Sequence, residues 1–241
     1  MKKTNIKRTV DQSEIEKFEK MAHEWWDING SFRPLHRMNP VRINYIKDAI
    51  SKFKISLSEA KILDVGCGGG LISLPLAKLC KNVTAIDASS KNIEIAKIQA
   101  KKESAKLKLL NATTSEMLKK RTKYDVIISL EVIEHVADYK AFLEELTILT
   151  HQDSIIIIST INRSFKSLLQ AKMFAEYVAR MLPIGTHDFD KFLKPKEIQD
   201  TMATLGWKML DIAGVKMKLD GSWYMSNDTG VNYIATFKRK K

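Results

Sequence analysis

Short apolar segments that alternate with longer amphipathic segments constrain the fold of this chain most. Helix-like periodicity fills the stretches between the apolar segments. Strands that alternate with helices form βαβ units, whose right-handed crossovers produce a mostly parallel, doubly wound sheet. The sequence therefore predicts an α/β, Rossmann-like fold. The five apolar segments lie at 61–66, 82–87, 107–110, 124–130 and 154–160.

The rest of the chain is arranged around this alternating core. A run at 231–237 follows a stretch rich in Gly, Asn and Asp and predicts a C-terminal antiparallel strand. Apolar periodicity predicts two N-terminal helices, roughly at 13–28 and from Pro40 to about Phe53. We therefore predict one domain over residues 1–241. Its parts are an N-terminal helical extension (1–58), the core (59–160), an insertion (161–194) and the C-terminal part of the sheet (195–241).

The composition excludes several classes of protein. Hydrophobic residues make up 44% and charged residues 28%, as in an ordinary globular protein. Cys67 and Cys80 are too few for a disulfide framework or a four-thiolate metal site, so we expect a reducing compartment. The sequence has no run of about 18 apolar residues that would span a membrane. Its first residues lack the apolar core of a secretory signal.

The chain is strongly basic. Its 40 Lys and Arg against 28 Asp and Glu give a net charge of +12, which favours anionic partners such as nucleic acid or acidic lipid. Most of the basic residues are Lys, a hydrated point charge, whereas Arg has the planar fork that reads guanine and phosphate. A Lys-rich solvated surface therefore accounts for the charge without a nucleic-acid partner.

A glycine-rich loop joins the first predicted strand to the first core helix. Its sequence, Asp64-Val-Gly66-Cys-Gly68-Gly-Gly70, lets backbone N–H groups approach a ligand closely. The third glycine of the GxGxxG dinucleotide fingerprint would fall at Leu71, and no Lys-Ser/Thr pair follows to complete a P-loop. Asp87 ends the second strand, where a carboxylate can accept hydrogen bonds from ribose hydroxyls.

An acid before a GxGxG loop and an acid after the second strand resemble, over residues 60–160, the class I S-adenosylmethionine-dependent methyltransferases. The resemblance implies that the loop of Asp64, Gly66 and Gly68 packs against the methionine part of the cofactor, S-adenosylmethionine. It implies that Asp87 binds both ribose hydroxyls. The alternative is a glycine turn that holds no ligand.

The same resemblance implies further cofactor contacts. Asn111 or Ala112, after the third strand, would lie beside the adenine. The backbone of Leu130 would line the cofactor slot, and Arg42 would bind the cofactor's carboxylate in a bidentate manner. The structural alternatives are a Leu130 that only fills the core and an Arg42 that lies on the surface.

Four further segments narrow the resemblance to the ubiquinone-biosynthesis O-methyltransferases, from about residue 13 to 237. They are WWDINGSFRPLHRMNPVR (25–42), EVIEHV (131–136), NRSFKS (162–167) and MLPIGTHDFDKFLKP (181–195), whereas 215–230 matches loosely. This resemblance implies methylation of catechol hydroxyls on polyprenylated intermediates. The two reactions are 3-demethylubiquinol to ubiquinol, and 3-polyprenylbenzene-1,2-diol to 2-methoxy-6-polyprenylphenol. In each, a catechol oxygen attacks the sulfonium methyl in line, so alignment carries much of the rate.

Glu131, Glu134 and His135 follow the fourth strand, at the sheet edge where doubly wound folds bind ligands. In one helical turn these positions would share a face, and two carboxylates with an imidazole suit a divalent ion. The resemblance points to magnesium at these three residues, where it would stabilise the catecholate. Glu131 and His135 are then the predicted catalytic residues. The alternatives are that Glu134 caps a helix and that His135 packs under the cofactor or acts as a base without metal.

Aromatic and basic segments flank this site. Trp25 and Trp26 either roof it or anchor the N-terminal helix, and His187 and Asp188 either close over substrate or form a turn. Residues 163–182 carry nine large apolar residues, four basic residues and one acid. This pattern predicts a basic amphipathic helix that lies on an anionic membrane surface or, alternatively, covers the domain as a lid.

Three functions remain in competition. We expect a bacterial O-methyltransferase in the cytoplasm, peripheral to the inner face of the cytoplasmic membrane. Its partners would be a polyprenylated catechol or quinol, the anionic membrane surface and other ubiquinone-biosynthesis enzymes, and not nucleic acid. A methyltransferase acting on RNA or another small molecule is the second, suggested by the charge and the Lys-rich stretch 238–241. A non-catalytic scaffold is the third, and degraded glycines or a missing Asp87 would have favoured it.

Overall fold

A single eight-stranded sheet organises the chain in a computed structural model that describes residues 9–164, 167, 189–218 and 220–240. The order of strands is β3-β2-β1-β4-β5-β8-β6-β7. Strands β1 to β5 are parallel, whereas β8 runs antiparallel between β5 and β6. The predicted α/β fold with a C-terminal antiparallel strand is confirmed. The strands are β1 Lys61–Val65, β2 Asn82–Asp87, β3 Lys108–Asn111, β4 Tyr124–Leu130, β5 Thr150–Ile161, β6 Trp207–Met217, β7 Trp223–Ser226 and β8 Asn232–Arg239.

The two central strands, β4 and β5, carry near-continuous apolar runs because layers of helices cover both faces of the sheet. Alternate residues face opposite layers. Ile127 and Ile156 pack in one hydrophobic cluster, whereas Val126 and Ile157 pack in the other. The core therefore lies on both sides of these strands and fixes their carboxyl ends as one rigid edge.

The helices divide between the two faces. On one face α2 and α3 pack through Ile46 and Leu76, and on the other α6 and α7 pack through Leu143 and Ile198. In the described part of the chain, no helix has the length and apolar character needed to cross a membrane. The helices are α1 Gln12–Lys20, α2 Arg33–Lys52, α3 Ser73–Ala77, α4 Ser90–Lys102, α5 Thr114–Lys119, α6 Tyr139–Ile148 and α7 Pro195–Thr204, with 3₁₀ turns at Ala22–Glu24, Ile133–His135 and Phe189–Lys191.

The N-terminal helices differ from the prediction. The first ends at Lys20 rather than near residue 28, and the second begins at Arg33 rather than at Pro40. Pro34 occupies the first turn of α2, where a missing N–H costs nothing. Pro40 lies inside the same helix, where it removes one backbone hydrogen bond. The prediction failed because it assigned to Pro40 the role that Pro34 has.

The predicted insertion is described only in part. Of the predicted membrane or lid helix 163–182, the structure describes Arg163, Ser164 and Ser167, and the rest lies outside the described residues. His187 and Asp188 also lie outside them. The Arg163 Nη2 lies 2.5 Å from Oε1 of Glu197 in α7. This basic side chain therefore pairs with the domain itself.

Candidate active site

A cavity of about 1070 Å³ opens at the carboxyl ends of β1, β2 and β4. The chain reverses its direction across the sheet between β1 and β4, and ligands of doubly wound folds bind at such a point. Helices α1 and α2 and the β6–β7 hairpin contribute further walls. The predicted site residues that line this cavity are Arg42, Asp64, Gly66, Gly68, Asp87, Ala112, Leu130, Glu131, Glu134 and His135.

The glycine loop follows β1 and is shaped by backbone conformations that favour glycine. Gly66 and Gly68 have φ of +71° and +53°. Their lack of a side chain is also a steric requirement, since a Cβ on Gly68 would lie 2.3 Å from the Trp25 ring. A Cβ on Gly66 would lie 2.4 Å from Val132. Side chains therefore pack against the loop from two sides, and the backbone of the loop faces the cavity.

The two tryptophans fasten the N-terminal segment to this loop. Trp25 stacks on Phe32 with ring centroids 3.8 Å apart and donates from Nε1 to Asn92 Oδ1 at 2.9 Å. Trp26 donates from Nε1 to the Gly69 carbonyl at 2.9 Å. Trp25 also lines the cavity, so it both anchors the segment and forms part of the wall.

Asp87 supports the loop through its carboxylate. Its Oδ2 accepts a hydrogen bond from Gly68 N at 2.8 Å, and its Oδ1 accepts from Ser89 N at 2.8 Å and from Asn92 at 3.2 Å. Burial raises the pKa of Asp87, and these hydrogen bonds oppose the rise. A carboxylate oxygen can accept two hydrogen bonds. Oδ2 therefore has acceptor capacity left for a ligand hydroxyl.

Asp64 lies beside Asp87 at the end of β1. The Ser73 hydroxyl donates to Asp64 Oδ2. Burial raises the pKa of Asp64 to about 7, the Ser73 hydrogen bond lowers it, and the negative charge of Asp87 raises it further. The negative charge of Asp87 acts at this wall, and a positive charge there would favour ionisation of both carboxyls, so the wall favours a cationic ligand.

Of the two residues predicted beside the adenine, only Ala112 lines the cavity. The Asn111 side chain instead donates to the carbonyls of Asp87 and Ala88, at 3.0 and 2.8 Å. Ala112 N also donates to the Asp87 carbonyl, at 3.1 Å. Asn111 therefore holds the turn after β2, and its side chain is not in the cavity wall.

Glu131 is the hub of a polar cluster at the end of β4. Its Oε1 accepts hydrogen bonds from Arg42 Nη2 at 2.5 Å, Ser159 Oγ at 2.6 Å and Asn232 Nδ2 at 3.2 Å. Asn232 Nδ2 also donates to Oε2 at 3.2 Å. The backbone of Glu131 is left-handed, with φ of +56°. This conformation directs the chain out of β4. Through its hydrogen bonds, the carboxylate connects residues of α2, β5 and β8.

Arg42 is buried, which contradicts the surface alternative. Its side chain is 3% exposed, and its Nε has no hydrogen-bond partner among the described residues. Burial lowers the pKa of Arg42, and the charges of Glu131 and Glu134 raise it. Leu130 lines the cavity and also packs against the apolar cluster of α2 and α3, so it is part of the core, and its place beside a cofactor stays a prediction.

Glu134 is a buried carboxyl group in the same wall. It is 3% exposed, and neither of its side-chain oxygens has a hydrogen-bond partner in the described part of the chain. Burial raises the pKa of Glu134, and the negative charge of Glu131 raises it further. Glu134 caps no helix. The buried Thr160 hydroxyl lies near enough to lower this pKa, so it is a possible donor to Glu134 from within the protein.

His135 is held by the N-terminal helix. Its Nδ1 lies 2.9 Å from Glu14 Oε2, and its ring meets Phe18 edge to face with centroids 5.0 Å apart. The hydrogen bond to His135 and the Lys191 ammonium, 3.1 Å from Glu14 Oε1, lower the pKa of Glu14 to about 2. An ionised Glu14 can only accept, so Nδ1 of His135 is the donor of this hydrogen bond.

The predicted metal ligands do not lie on one helical turn. The predicted helical turn is a 3₁₀ turn that begins at Ile133, and Glu131 precedes it in the left-handed conformation. Glu131 is bonded to Arg42, and His135 is bonded to Glu14. The described residues contain no group of three His, Cys, Asp or Glu side chains placed to hold a metal ion. As arranged here, the three residues do not fit a divalent ion.

Sequence reasoning missed Glu14, Ser159 and Asn232. Glu14 is 121 residues from His135, and nothing local marks it. The other two had a signal, since each is a polar residue at the end of a buried apolar strand. The amino end of an antiparallel strand lies at the same edge as the carboxyl ends of its parallel neighbours. Asn232, which begins β8, therefore belongs to the ligand-binding edge.

Comparisons with known proteins find methyltransferases. Residues 56–206 match a family model described as a methyltransferase domain. The ubiquinone biosynthesis O-methyltransferase of Pelagibacter ubique (strain HTCC1062) is 46% identical over 236 residues, covering 95% of this chain and 98% of that protein. The protein of the same name from Rickettsia prowazekii (strain Madrid E) is 43% identical over 233 residues, covering 96% of this chain and 92% of that protein.

Solved structures show the same fold at low identity. A magnesium protoporphyrin IX methyltransferase from Synechocystis PCC 6803 with bound SAH has a TM-score of 0.62 at 17% identity, covering 94% of this chain and 87% of that chain. A SAM-dependent methyltransferase from Thermotoga maritima, described as a possible histamine N-methyltransferase, has a TM-score of 0.66 at 16% identity, covering 93% and 99%. At these identities the likeness concerns the fold alone.

Proposed function

Since the chain belongs to the ubiquinone biosynthesis O-methyltransferases, we propose that it methylates catechol hydroxyls of polyprenylated quinone precursors in the cavity described above. It is an S-adenosylmethionine-dependent O-methyltransferase of ubiquinone biosynthesis. The two proposed reactions convert 3-demethylubiquinol to ubiquinol and a 3-polyprenylbenzene-1,2-diol to 2-methoxy-6-polyprenylphenol. The supporting observation is that one cavity contains both the glycine loop and the polar cluster around Glu131.

The cofactor would occupy the part of the cavity over β1, β2 and β4. Asp87 Oδ2 would accept from the ribose hydroxyls, and Gly66 and Gly68 would contact the methionine part through their backbone. Ala112 would lie beside the adenine, and Leu130 would line the slot. The local negative charge of Asp64 and Asp87 favours a ligand that carries a sulfonium and an ammonium group. Asn111 would act indirectly, by fixing the turn that carries Asp87.

Arg42 would bind the carboxylate of the cofactor. Its guanidinium is buried at the cavity wall, and its Nε lacks a partner among the described residues. A carboxylate could therefore bind to Arg42 without displacing Glu131. Glu131 then has a positioning role, because it fixes Arg42 and Asn232.

The chemical step requires that a catechol hydroxyl lose its proton. We assign the proton to Nε2 of His135, whose ring is oriented by Glu14. The oxygen then attacks the methyl carbon in line, the carbon–sulfur bond breaks, and S-adenosylhomocysteine leaves with the electron pair on sulfur. Alignment of the two reactants supplies most of the acceleration, since effective molarities of about 10⁵–10⁸ M are available to well-oriented pairs.

The magnesium ion implied by the family resemblance has no step in this mechanism, because its three predicted ligands do not fit it as arranged. Chelation tests the assignment. Turnover that survives exhaustive treatment with EDTA would support His135 as the base. Turnover that is lost on chelation and restored by magnesium would assign the deprotonation to a metal.

We further propose that the protein works at an anionic membrane surface, on the inner face of a bacterial cytoplasmic membrane. A polyprenyl tail resides in the bilayer, and the net charge of +12 favours acidic lipid. The protein should therefore co-sediment with liposomes that contain acidic lipid, and the bound fraction should fall as the salt concentration rises. The triple Ser variant of Phe165, Leu168 and Leu169 should bind more weakly. The matched control is a triple Ser variant of three exposed residues elsewhere, Ile28, Ile98 and Ile148, and equal loss in both would contradict the proposal.

A direct assay tests the proposed function. The protein is offered S-adenosylmethionine with a labelled methyl group, together with a short-tail prenylated catechol or with bulk RNA. We expect label on a catechol oxygen and none on RNA. A His135→Ala variant should bind S-adenosylhomocysteine normally and lose turnover. Label on RNA alone would contradict the proposal.

A further inference from the structure

We propose that Asn232 is a substrate-binding residue that accepts a hydrogen bond from the second hydroxyl of the catechol, the one that is not being methylated. The inference rests on the proposed O-methylation of a catechol. It assigns a function to a residue on β8, outside the glycine loop and outside the Glu131–His135 segment.

The orientation of the Asn232 amide is fixed by its neighbour. Both oxygens of Glu131 lie 3.2 Å from the same side-chain atom of Asn232. A carboxylate accepts and does not donate, so this atom is the Nδ2 donor and the carbonyl Oδ1 faces the other way. The hydrogen bonds from Arg42 and Ser159 hold Glu131 in turn. The direction of the Oδ1 acceptor is therefore set before any ligand arrives.

The Oδ1 atom of Asn232 lacks a donor. It is buried and has no hydrogen-bond partner among the described residues, although Asn232 lines the cavity. Buried polar atoms in folded proteins are nearly always paired, and an orphan in a ligand cavity indicates a bond that the ligand completes. The missing group must be a donor, such as a hydroxyl or an N–H.

The position of Asn232 in the sheet favours the substrate over the cofactor. The cofactor residues lie on β1, β2 and β4, whereas Asn232 begins β8, two strands beyond β4. Neighbouring strands are about 4.8 Å apart, so the backbone of β8 is roughly 10 Å from that of β4 across the sheet, and only the Asn232 side chain reaches Glu131. Glu134 and His135 follow β4 and line the same cavity as Asn232. A ring whose reacting oxygen meets His135 would thus extend toward β8.

A catechol supplies the required donor. One hydroxyl loses its proton and attacks the methyl group, and its neighbour on the ring keeps its proton and can donate to Oδ1. A phenol that lacks the neighbouring hydroxyl leaves Oδ1 unpaired, and a methoxy group in that place brings an acceptor against an acceptor. Asn232 would therefore select for two adjacent hydroxyls.

The test compares binding of two ligands to the enzyme saturated with S-adenosylhomocysteine, which cannot react. The ligands are a short-tail prenylated catechol and the phenol that lacks its second hydroxyl, and calorimetry gives each Kd. We expect wild type to prefer the catechol by about tenfold or more, because an unpaired buried acceptor is costly. In Asn232→Ala the preference should fall below about threefold.

A matched variant separates this role from support of Glu131. Ser159→Ala removes the 2.6 Å hydrogen bond to Glu131 Oε1 and leaves the Asn232 amide in place. It should weaken both ligands alike and keep the preference for the catechol. Affinity for S-adenosylhomocysteine reports whether each variant is folded, and Asn232→Ser replaces Asn232→Ala if the latter does not fold.

The outcomes distinguish the two proposals. A preference for catechol that is unchanged in the Asn232 variant, or absent in wild type, overturns the role of Asn232. An equal loss of preference in the Ser159 variant does so too. Methyl transfer by wild type to the same catechol is measured in parallel, and its absence would overturn the proposed function instead.

Discussion

The Nη2 atom of Arg42 lies 2.5 Å from Oε1 of Glu131, and this ion pair joins α2 to the end of β4 across 89 residues of sequence. The Arg42 side chain is 3% exposed and the Glu131 side chain 17%. The pair connects Arg42, the proposed cofactor residue, to Glu131, which also binds Asn232, the proposed substrate residue. We therefore expect the pair to affect both the stability of the fold and the binding of ligands.

Breaking this pair should destabilise the protein. Arg42→Met or Glu131→Gln alone should lower the free energy of unfolding by about 3 kcal/mol, because each leaves a buried charge without its partner. The double variant should lose less than the sum, with a coupling energy above about 1 kcal/mol. Denaturant titrations of the four proteins measure this cycle. Additive losses would show that the two charges do not stabilise each other.

Cofactor binding should depend on Asp87. Asp87→Ala removes the acceptor proposed for the ribose and leaves Gly68 N without its partner. Affinity for S-adenosylhomocysteine should fall about fivefold to a hundredfold, the result of unpaired polar groups. Calorimetry measures the affinity. The control is Asn111→Ala, which loosens the same turn from outside the cavity and should cost less. An unchanged affinity in Asp87→Ala would exclude Asp87 from the site.

The glycine loop should be intolerant of a side chain for a steric reason. Gly68→Ala combines a φ of +53° with a Cβ 2.3 Å from Trp25, so it should displace the ring and lower cofactor affinity by at least about tenfold. Gly206→Ala is the matched control, because its φ is +82° and no atom lies within 4 Å of its Cβ. It should cost about 1–2 kcal/mol of stability from backbone strain alone and leave affinity unchanged. Equal effects would show that strain, and not the ring, decides.

Asp64 should make the protein less stable as pH rises between about 4 and 7. In the unfolded chain its carboxyl titrates near about 3.9, whereas burial raises its pKa to about 7 in the folded state. The folded state thus keeps a proton that the unfolded state has lost, so the free energy of unfolding falls by up to about 1.4 kcal/mol per pH unit. Denaturant titrations across this range measure the slope.

Two variants check the origin of that slope. Asp64→Asn should remove its part of the pH dependence. Ser73→Ala removes the hydrogen bond that lowers this pKa, so it should extend the upper end of the pH window and leave the lower end in place. An identical slope in Asp64→Asn and wild type would assign the effect to other groups.

The cofactor-free protein should not bind magnesium tightly. Arg42 and Glu14 occupy two of the three predicted ligands, and a guanidinium beside Glu131 repels a cation. We expect no saturable binding below about 1 mM in calorimetry. The three residues would first have to leave their present partners, and this rearrangement lowers the affinity for magnesium. The same titration with S-adenosylhomocysteine and catechol present is the comparison. A tight site in the cofactor-free protein would contradict the arrangement of Glu131 and His135.

The sequence predicted the parts of the fold that depend on local pattern. The runs at 82–87 and 124–130 coincide with β2 and β4, because buried parallel strands need an unbroken apolar run. The glycine loop was also predictable, because its glycines and the preceding acid, Asp64, are close together in sequence. The start of α2 was not predictable, because either Pro34 or Pro40 could occupy the first turn of a helix. Only the packing of the folded chain decides between them.

The polar cluster could not be predicted for a different reason. Glu131 meets residues 89, 28 and 101 positions away in sequence, namely Arg42, Ser159 and Asn232. Such contacts depend on the order of strands across the sheet. The left-handed backbone of Glu131 also takes this residue out of the helical turn that its spacing implied. Glu131 therefore binds residues that the sheet topology brings to it, and not the nearby Glu134 and His135 that its spacing in the sequence suggested.

The place of β8 has a consequence for synthesis on the ribosome. This strand is made after β6, yet it inserts between β5 and β6. A nascent chain that has emerged through β5 already contains the glycine loop and Asp87, whereas Asn232 and the closure of the sheet come only with β8. Until then the edges of β5 and β6 that β8 will join are both open to pairing with other chains. The synthesis of β8 thus closes these open edges and completes the proposed substrate side of the site in the same step.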